Sequence, residues 1–374
     1  MINMQNRMYR FLVVLTIAST IGLESWLTLF NNFAVEVVAL KGNQIGIIQS
    51  IREIPGFLAL LIVYILLVIK EHRLSALAIV ILGLGMAVSG MLPSFSGLIF
   101  STLVMSFGFH YFDATCDSLT LQYFDKEKSP LVFGKLGSLA SITNIGAGIL
   151  IFCIVPILNY TQLYLIIGSL VTMAGIWGIT QNPTSNNLPP QQKKMVLRKK
   201  YLLFYFLTFM AGARRQIFMA FAVFLMVTNF HFSIKEVTML FVINNALIFF
   251  LYPLIGKSII RFGERKVLSL EYASLIFIFL AYAAVQSKML IAILYILDQI
   301  FYTFHIAIET YFQKIADPGD IASSISVSYT INHIAAVVLP ALGGIFWMID
   351  YRIPFVFGAL FSLVSLMAVQ KIRF

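Results

Sequence analysis

The sequence predicts an all-α membrane protein of twelve transmembrane helices arranged as two similar six-helix bundles, and three observations predict it. Of the 374 residues, 60% are hydrophobic and 11% charged, with a mean hydropathy of +0.91, against roughly 25% charged in soluble domains. Apolar stretches of about 20 residues, the length that crosses a bilayer core, recur between short polar clusters. One long polar segment, 181–200, is rich in Pro and Asn and falls near the middle of the chain, so it reads as a linker between two halves.

The spans follow from hydropathy and loop punctuation. In the first half, residues 1–180, they are expected near 9–38, 44–69, 74–92, 95–122, 131–158 and 162–180. In the second, residues 201–374, they are expected near 201–229, 235–260, 267–286, 289–314, 321–347 and 353–371. The first stretch runs from Phe11 through Trp26 without a small-residue cleavage site and is expected to be a retained helix. Cys116 and Cys153 fall inside spans at opposite depths, which suggests neither a disulfide nor a metal cluster.

In a soluble protein a net charge of +10 would point to nucleic acid. Here the basic residues sit in short loops, where they set topology, and nucleic acid is not an expected partner. With the N-terminus in the cytoplasm, 19 of the 26 Lys and Arg residues fall inside, among them Arg7, Arg10, Lys70, Arg73 and Lys193 to Lys200. Only Lys41, Lys235, Lys288 and Arg352 fall outside, and Arg52, Arg214 and Arg215 lie within spans. This asymmetry predicts a multi-pass protein of the inner (cytoplasmic) membrane with both termini cytoplasmic.

Sliding the chain on itself supports an internal duplication. At an offset of 190, Gly22 meets Gly212 and Glu24 meets Arg214; at 192, Asp113 meets His305 and Asp117 meets Glu309. Six spans per half is an even number, so both copies enter the membrane in the same orientation, unlike the inverted repeats of other transporter folds.

After span eight, Gly256-Lys-Ser-Ile-Ile-Arg261-Phe-Gly263-Glu-Arg265-Lys266 resembles the major facilitator signature Gly-x-x-x-Asp-Arg-x-Gly-Arg-Arg. The layout of twelve spans in two halves is similar to that family throughout. Ile260 stands where the signature has Asp, and the matching first-half loop has only Lys70-Glu-His-Arg73. The resemblance implies a cytoplasmic gate loop, in which Gly256 and Gly263 permit tight turns and Arg261 and Arg265 bond helix carbonyls or lipid phosphates. Ordinary topology-setting charge is the alternative for both arginines. The resemblance also implies that spans one, four, seven and ten line a central cavity.

Ionisable residues are costly at mid-membrane and are functional candidates by default. Glu24 lies in span one, Arg52 and Glu53 in span two, Asp113 and Asp117 in span four, Arg214 and Arg215 in span seven, and Asp298, His305 and Glu309 in span ten. His110, Asp113 and Asp117 follow i, i+3, i+7 and share one helical face, as do His305 and Glu309 at i, i+4. For Glu24 and Arg214 the alternative is a buried pair that only joins the two halves; for Asp117 and Glu309 it is satisfaction by loop lysines or water. Arg52 and Glu53 point about 100° apart on a helix, so one is expected to face the cavity and one to pack, with Pro55 loosening the turn. Trp26, Asn31, Asn32 and Asn244 are expected as further polar contacts, although asparagines also join helices.

The expected function is transport of a small polar, anionic solute by alternating access, bound near the midplane between the halves. Arg214 or Arg215 would hold the anion, and Glu24, Asp113 or Glu309 would carry a coupling proton. The expected partners are this solute and membrane lipids; no other cofactor, no catalytic residue and no metal are expected, and one chain suffices as a monomer. The alternatives are an intramembrane lipid- or polyprenol-modifying enzyme using Asp113, Asp117 and His305, and a transporter-like receptor that binds without cycling. No nucleophile motif or phosphate loop accompanies the enzyme reading.

Overall fold

The computed structural model describes residues 7–184, 188–192 and 194–373. Linker residues 185–187 and Lys193 therefore lie outside the described residues. The described chain is helical, with no strand. Ten stretches are long and apolar enough to cross a membrane: Arg7–Glu36, Gln44–Ile65, Glu71–Ser89, Phe95–Tyr123, Ser129–Ile154, Tyr160–Thr180, Glu236–Phe262, Glu264–Ala284, Lys288–Ile315 and Arg352–Val369. They stand where spans one to six, eight to ten and twelve are expected. Span eleven is the 29-residue helix Ile321–Ile349.

Span seven is a helix in three pieces: Leu202–Ile217, a π-helical turn at Phe218–Ala222, and Val223–Phe230. Neither Pro nor Gly lies in that turn. It is seated by aromatic packing, with Phe218 stacked on Tyr295 at 5.2 Å and Phe221 on Trp347 at 5.6 Å. Spans two and ten are also irregular. Span two turns 3-10 at Leu58–Leu61, just past Pro55, and span ten does so at Thr303–His305.

Helix ends are set locally. Span six starts at a capping box in which Asn159 accepts from the Gln162 amide at 2.9 Å and the Asn159 amide donates to the Gln162 side chain at 3.1 Å. Ser233 and Glu236 do the same for span eight. Spans eight and nine are separated by Gly263 alone, at a φ of +80° that L side chains rarely adopt.

Two compact units emerge. The first comprises Met1–Tyr123, Leu139–Val196 and Pro318–Thr330; the second comprises Phe124–Ser138, Leu197–Asp317 and Ile331–Phe374. They depart from a simple 1–180 and 201–374 division in two places, because the start of span five packs in the second unit and the start of span eleven in the first. Small residues let these segments in. A Cβ on Gly134 would meet the Tyr252 carbonyl oxygen at 2.6 Å, and Gly137 lies against the Tyr252 ring. A Cβ on Gly146 or Gly148 would have nothing within 4 Å.

Gly256 and Arg261 were expected in a loop; they lie instead inside the span-eight helix, which continues to Phe262. Gly256 serves close approach rather than turning, since a Cβ there would clash with the Pro130 carbonyl oxygen. Gly256→Ala is therefore expected to push the start of span five off span eight and to cost about 1–3 kcal/mol through overpacking, read as a lower melting temperature, whereas Gly146→Ala should leave it unchanged. Arg265 is anchored to the end of span twelve, donating to the Gln370 side-chain oxygen at 3.0 and 3.1 Å. Arg261 is exposed beside the Phe262 ring.

The described part of the linker is tied down. In the first unit Gln191 donates to the Pro318 carbonyl at 2.9 Å, and Ser323 bonds both the Val196 amide and the Lys194 carbonyl. In the second unit Arg198 and Lys200 pair with Asp317 at 2.8 and 2.6 Å. The Lys200 ammonium, with Arg198 beside it, holds the Asp317 carboxyl below the usual carboxylate range. A depressed carboxyl contributes stability above its unfolded value and loses it as pH falls through the folded one, so this tie holds at neutral pH.

Candidate functional site

Each unit holds a group of intramembrane charges that touch one another. In the first, Asp113 and Asp117 stand one turn apart on span four, and Tyr329, on the first-unit part of span eleven, reaches both. Its hydroxyl lies 3.0 Å from Asp113 Oδ2 and 2.7 Å from Asp117 Oδ2. Both aspartates are half-buried. The neighbouring break in span two is held from both sides: the Leu60 amide donates to Thr330 Oγ1 at 2.9 Å, and the Tyr111 hydroxyl donates to the Leu58 carbonyl at 3.2 Å. Tyr329 and Thr330 thus carry span eleven onto span four and the irregular part of span two.

One phenol between two carboxylates poses a proton-counting problem. A tyrosine hydroxyl has a single proton to give, and an ionised carboxylate only accepts. Both short contacts are full hydrogen bonds when one carboxyl carries a proton and donates it to the phenol oxygen. With both carboxylates ionised, the two share the single phenol hydrogen and repel each other, so the contacts weaken.

Arg52 and Glu53 do not divide as expected. They fold onto each other in a 2.8 Å ion pair, each about one-fifth exposed, and Ser106 Oγ donates to the Arg52 carbonyl. Glu24 is half-buried on span one. Trp26, expected in the cavity, is fully buried and stacked on Phe30 at 4.4 Å, so it is a packing residue here. Asn31 and Asn32 are exposed.

In the second unit Arg214 and Arg215 separate. Arg214 is 3% exposed, with Nη2 3.7 Å from Glu271 Oε1, Nη1 donating to Ser365, and the guanidinium 4.4 Å over the Tyr272 ring. It faces the interior of its own bundle. Arg215 is half-buried. Asp298 is 3% exposed. His305 is stacked on Tyr302, and its Nδ1 lies 2.7 Å from the Tyr302 carbonyl oxygen. A carbonyl only accepts, so Nδ1 carries the hydrogen and Nε2 is the acceptor of the neutral ring. Glu309 is half-buried one turn beyond. Asn244, on span eight, is 3% exposed, and neither atom of its amide has a hydrogen-bond partner among the described residues.

Sequence reasoning missed Glu271 and Tyr329. Glu271 is the only charged residue between Lys266 and Lys288, and that isolation was the available signal. For Tyr329 the signal was weaker, a polar run of serines in an otherwise apolar span.

Residues 203–373 match the sequence pattern of the Major Facilitator Superfamily. No curated protein sequence matches the chain. Among solved structures, the chain is similar to a bacterial homologue of the iron transporter ferroportin in an outward-facing state, at 14% identity over 97% of this chain and 98% of that one, with a TM-score of 0.80. It is similar to the transporter FucP in an outward conformation, at 13% identity over 97% of both chains and a TM-score of 0.79. It is also similar to the human organic anion transporter MFSD10, at 11% identity over 97% and 99% and a TM-score of 0.77.

Proposed function

From a chain that has the major facilitator fold over its length, and that superfamily's sequence pattern over residues 203–373, we propose a secondary active transporter that moves a small polar anion across the inner membrane by alternating access, coupled to protons. Both termini are cytoplasmic in this reading, as the distribution of basic loop residues supports. One chain forms the working unit.

The observation that carries the coupling is Tyr329 between Asp113 and Asp117. The loaded form holds one proton across the pair, closes both contacts and ties span eleven to span four. Loss of that proton weakens one of the two contacts, so that span eleven is held to span four at this point mainly by the other. A proton thereby changes which conformation is favoured, which is what coupling requires. Solved structures of this fold include a fucose:proton symporter from E. coli and an organic anion transporter, the two chemistries combined here.

The solute's negative group is assigned to Arg215, which is half-buried on span seven, whereas Arg214 is 3% exposed in the packed interior. His305 Nε2 and the unpartnered amide of Asn244 supply neutral polar contacts; a buried amide without partners is costly unless a ligand or water completes it. Bonds to charged groups are worth about 1.5–3 kcal/mol, so Arg215→Gln should weaken anion binding by about 10- to 100-fold. The check is uptake of labelled lactate, succinate, citrate and glycerol phosphate into vesicles under an imposed pH gradient. Uptake of one of these acids that rises with the gradient supports the reading. Uptake of none of them by a folded protein, with transport of a cation instead, would end it.

A further inference from the structure

The interior of the second unit holds a charge imbalance that the proposed transport site does not use. Arg214 is the cation; Glu271, from span nine, and Asp298, from span ten, are the anions, and all three are at most 3% exposed. Glu271 and Asp298 lie within electrostatic reach of Arg214 and of each other. Arg214 Nη2, Glu271 Oε2 and Asp298 Oδ2 have no hydrogen-bond partner among the described residues, and the same is true of the buried hydroxyls of Tyr272 and Tyr282. Tyr295 lies one turn before Asp298 on the same span, and Ser365 bonds Arg214 from span twelve. Beyond these, Arg215 and His305 are the charged or titratable groups nearest along spans seven and ten.

With both carboxylates ionised this buried interior would carry one uncompensated negative charge, the state that proteins avoid by taking up a proton. The two unpartnered carboxyl oxygens and the two tyrosine hydroxyls provide acceptors for the O–H that results. We propose that Arg214, Glu271 and Asp298 form a second proton-binding site, which holds one proton between the two carboxyl groups and lies in a different unit from Asp113 and Asp117. The site goes beyond the coupling pair and does not depend on it.

Its position gives the proton leverage. The Arg214 and Arg215 carbonyls both accept from the Phe218 amide at the start of the π turn, and Asp298 precedes the 3-10 turn at Thr303–His305. Deprotonation would place a second negative charge among the spans that carry the irregular turns of this unit.

The test is the infrared carbonyl band of protonated carboxylic acids, recorded at neutral pH on the purified full-length protein. In an Asp113→Asn/Asp117→Asn background, which silences the first site, adding Asp298→Asn should remove the intensity of one protonated carboxyl. Glu271→Gln in that background should remove the same intensity, because the remaining carboxylate is then neutralised by Arg214. Both changes insert a neutral amide of matching shape, and each serves as a check on the folding of the other. Unchanged intensity in both would overturn the proposal, as would loss of intensity in only one, which would fix a permanently protonated residue rather than a shared site.

Discussion

Asp117→Asn is expected to abolish pH-driven accumulation of the transported acid while leaving exchange of labelled for unlabelled acid intact. The expectation follows from the proton count at Tyr329. An asparagine amide can donate to the phenol oxygen at all times, so the variant imitates the loaded pair and keeps both contacts closed without a titrating proton. A transporter fixed in the loaded form still binds solute and exchanges it, but it has lost the step that the gradient drives. Asp113→Asn should behave alike, since the phenol lies 3.0 Å from one carboxylate and 2.7 Å from the other. Asp125→Asn is the matching control: Asp125 pairs with Lys128 at the surface, more than half exposed, and such pairs contribute little. Accumulation that survives in both span-four variants would remove the pair from the coupling mechanism.

Arg214→Gln should lower stability severely and leave solute affinity in the surviving folded protein unchanged. Removing one partner of a buried ion pair costs about 3–5 kcal/mol, because the other charge is left in a dry interior. Arg214 and Glu271 are 3% and 1% exposed, so this cost applies to them in a way it does not to a surface pair. The double variant Arg214→Gln/Glu271→Gln should recover part of the loss, and a double-mutant cycle on thermal unfolding measures how much. Arg215→Gln is expected to do the reverse, with near-normal stability and weakened anion binding. If Arg214→Gln were as stable as wild type but had lost the solute, the assignments of the two arginines would have to be exchanged.

That separation shows where the sequence ceases to be informative. Adjacent residues on a helix point about 100° apart, so Arg214 and Arg215 must face different surroundings, yet nothing in the string says which one turns inward. Glu24 met Arg214 at equivalent repeat positions, which invited a pair between them, but Arg214 finds its carboxylate on span nine. Hydropathy placed the helices well, because apolar runs of bilayer length and capping pairs such as Ser233 and Glu236 are local properties. The break in span two was foreshadowed by Pro55, whereas the π turn at Phe218–Ala222 depends on partners from spans ten and eleven, Tyr295 and Trp347, that are remote in sequence. The face shared by Asp113 and Asp117 followed from their spacing. The phenol that joins them comes from more than 200 positions away, and a contact of that range leaves no trace in one sequence.

The most direct measurement is the thermal stability of the purified protein, at a mildly acidic and at a neutral pH, with lactate, succinate, citrate, glycerol phosphate, choline and fucose. A ligand that binds the folded state raises its stability by RT ln(1 + [L]/Kd). The expected result is stabilisation by one of the acids, dependent on pH in the wild type, independent of pH in Asp117→Asn, and lost in Arg215→Gln. Stabilisation by choline or fucose alone, or by an acid equally at both pH values in the wild type, would contradict a proton-coupled anion transporter.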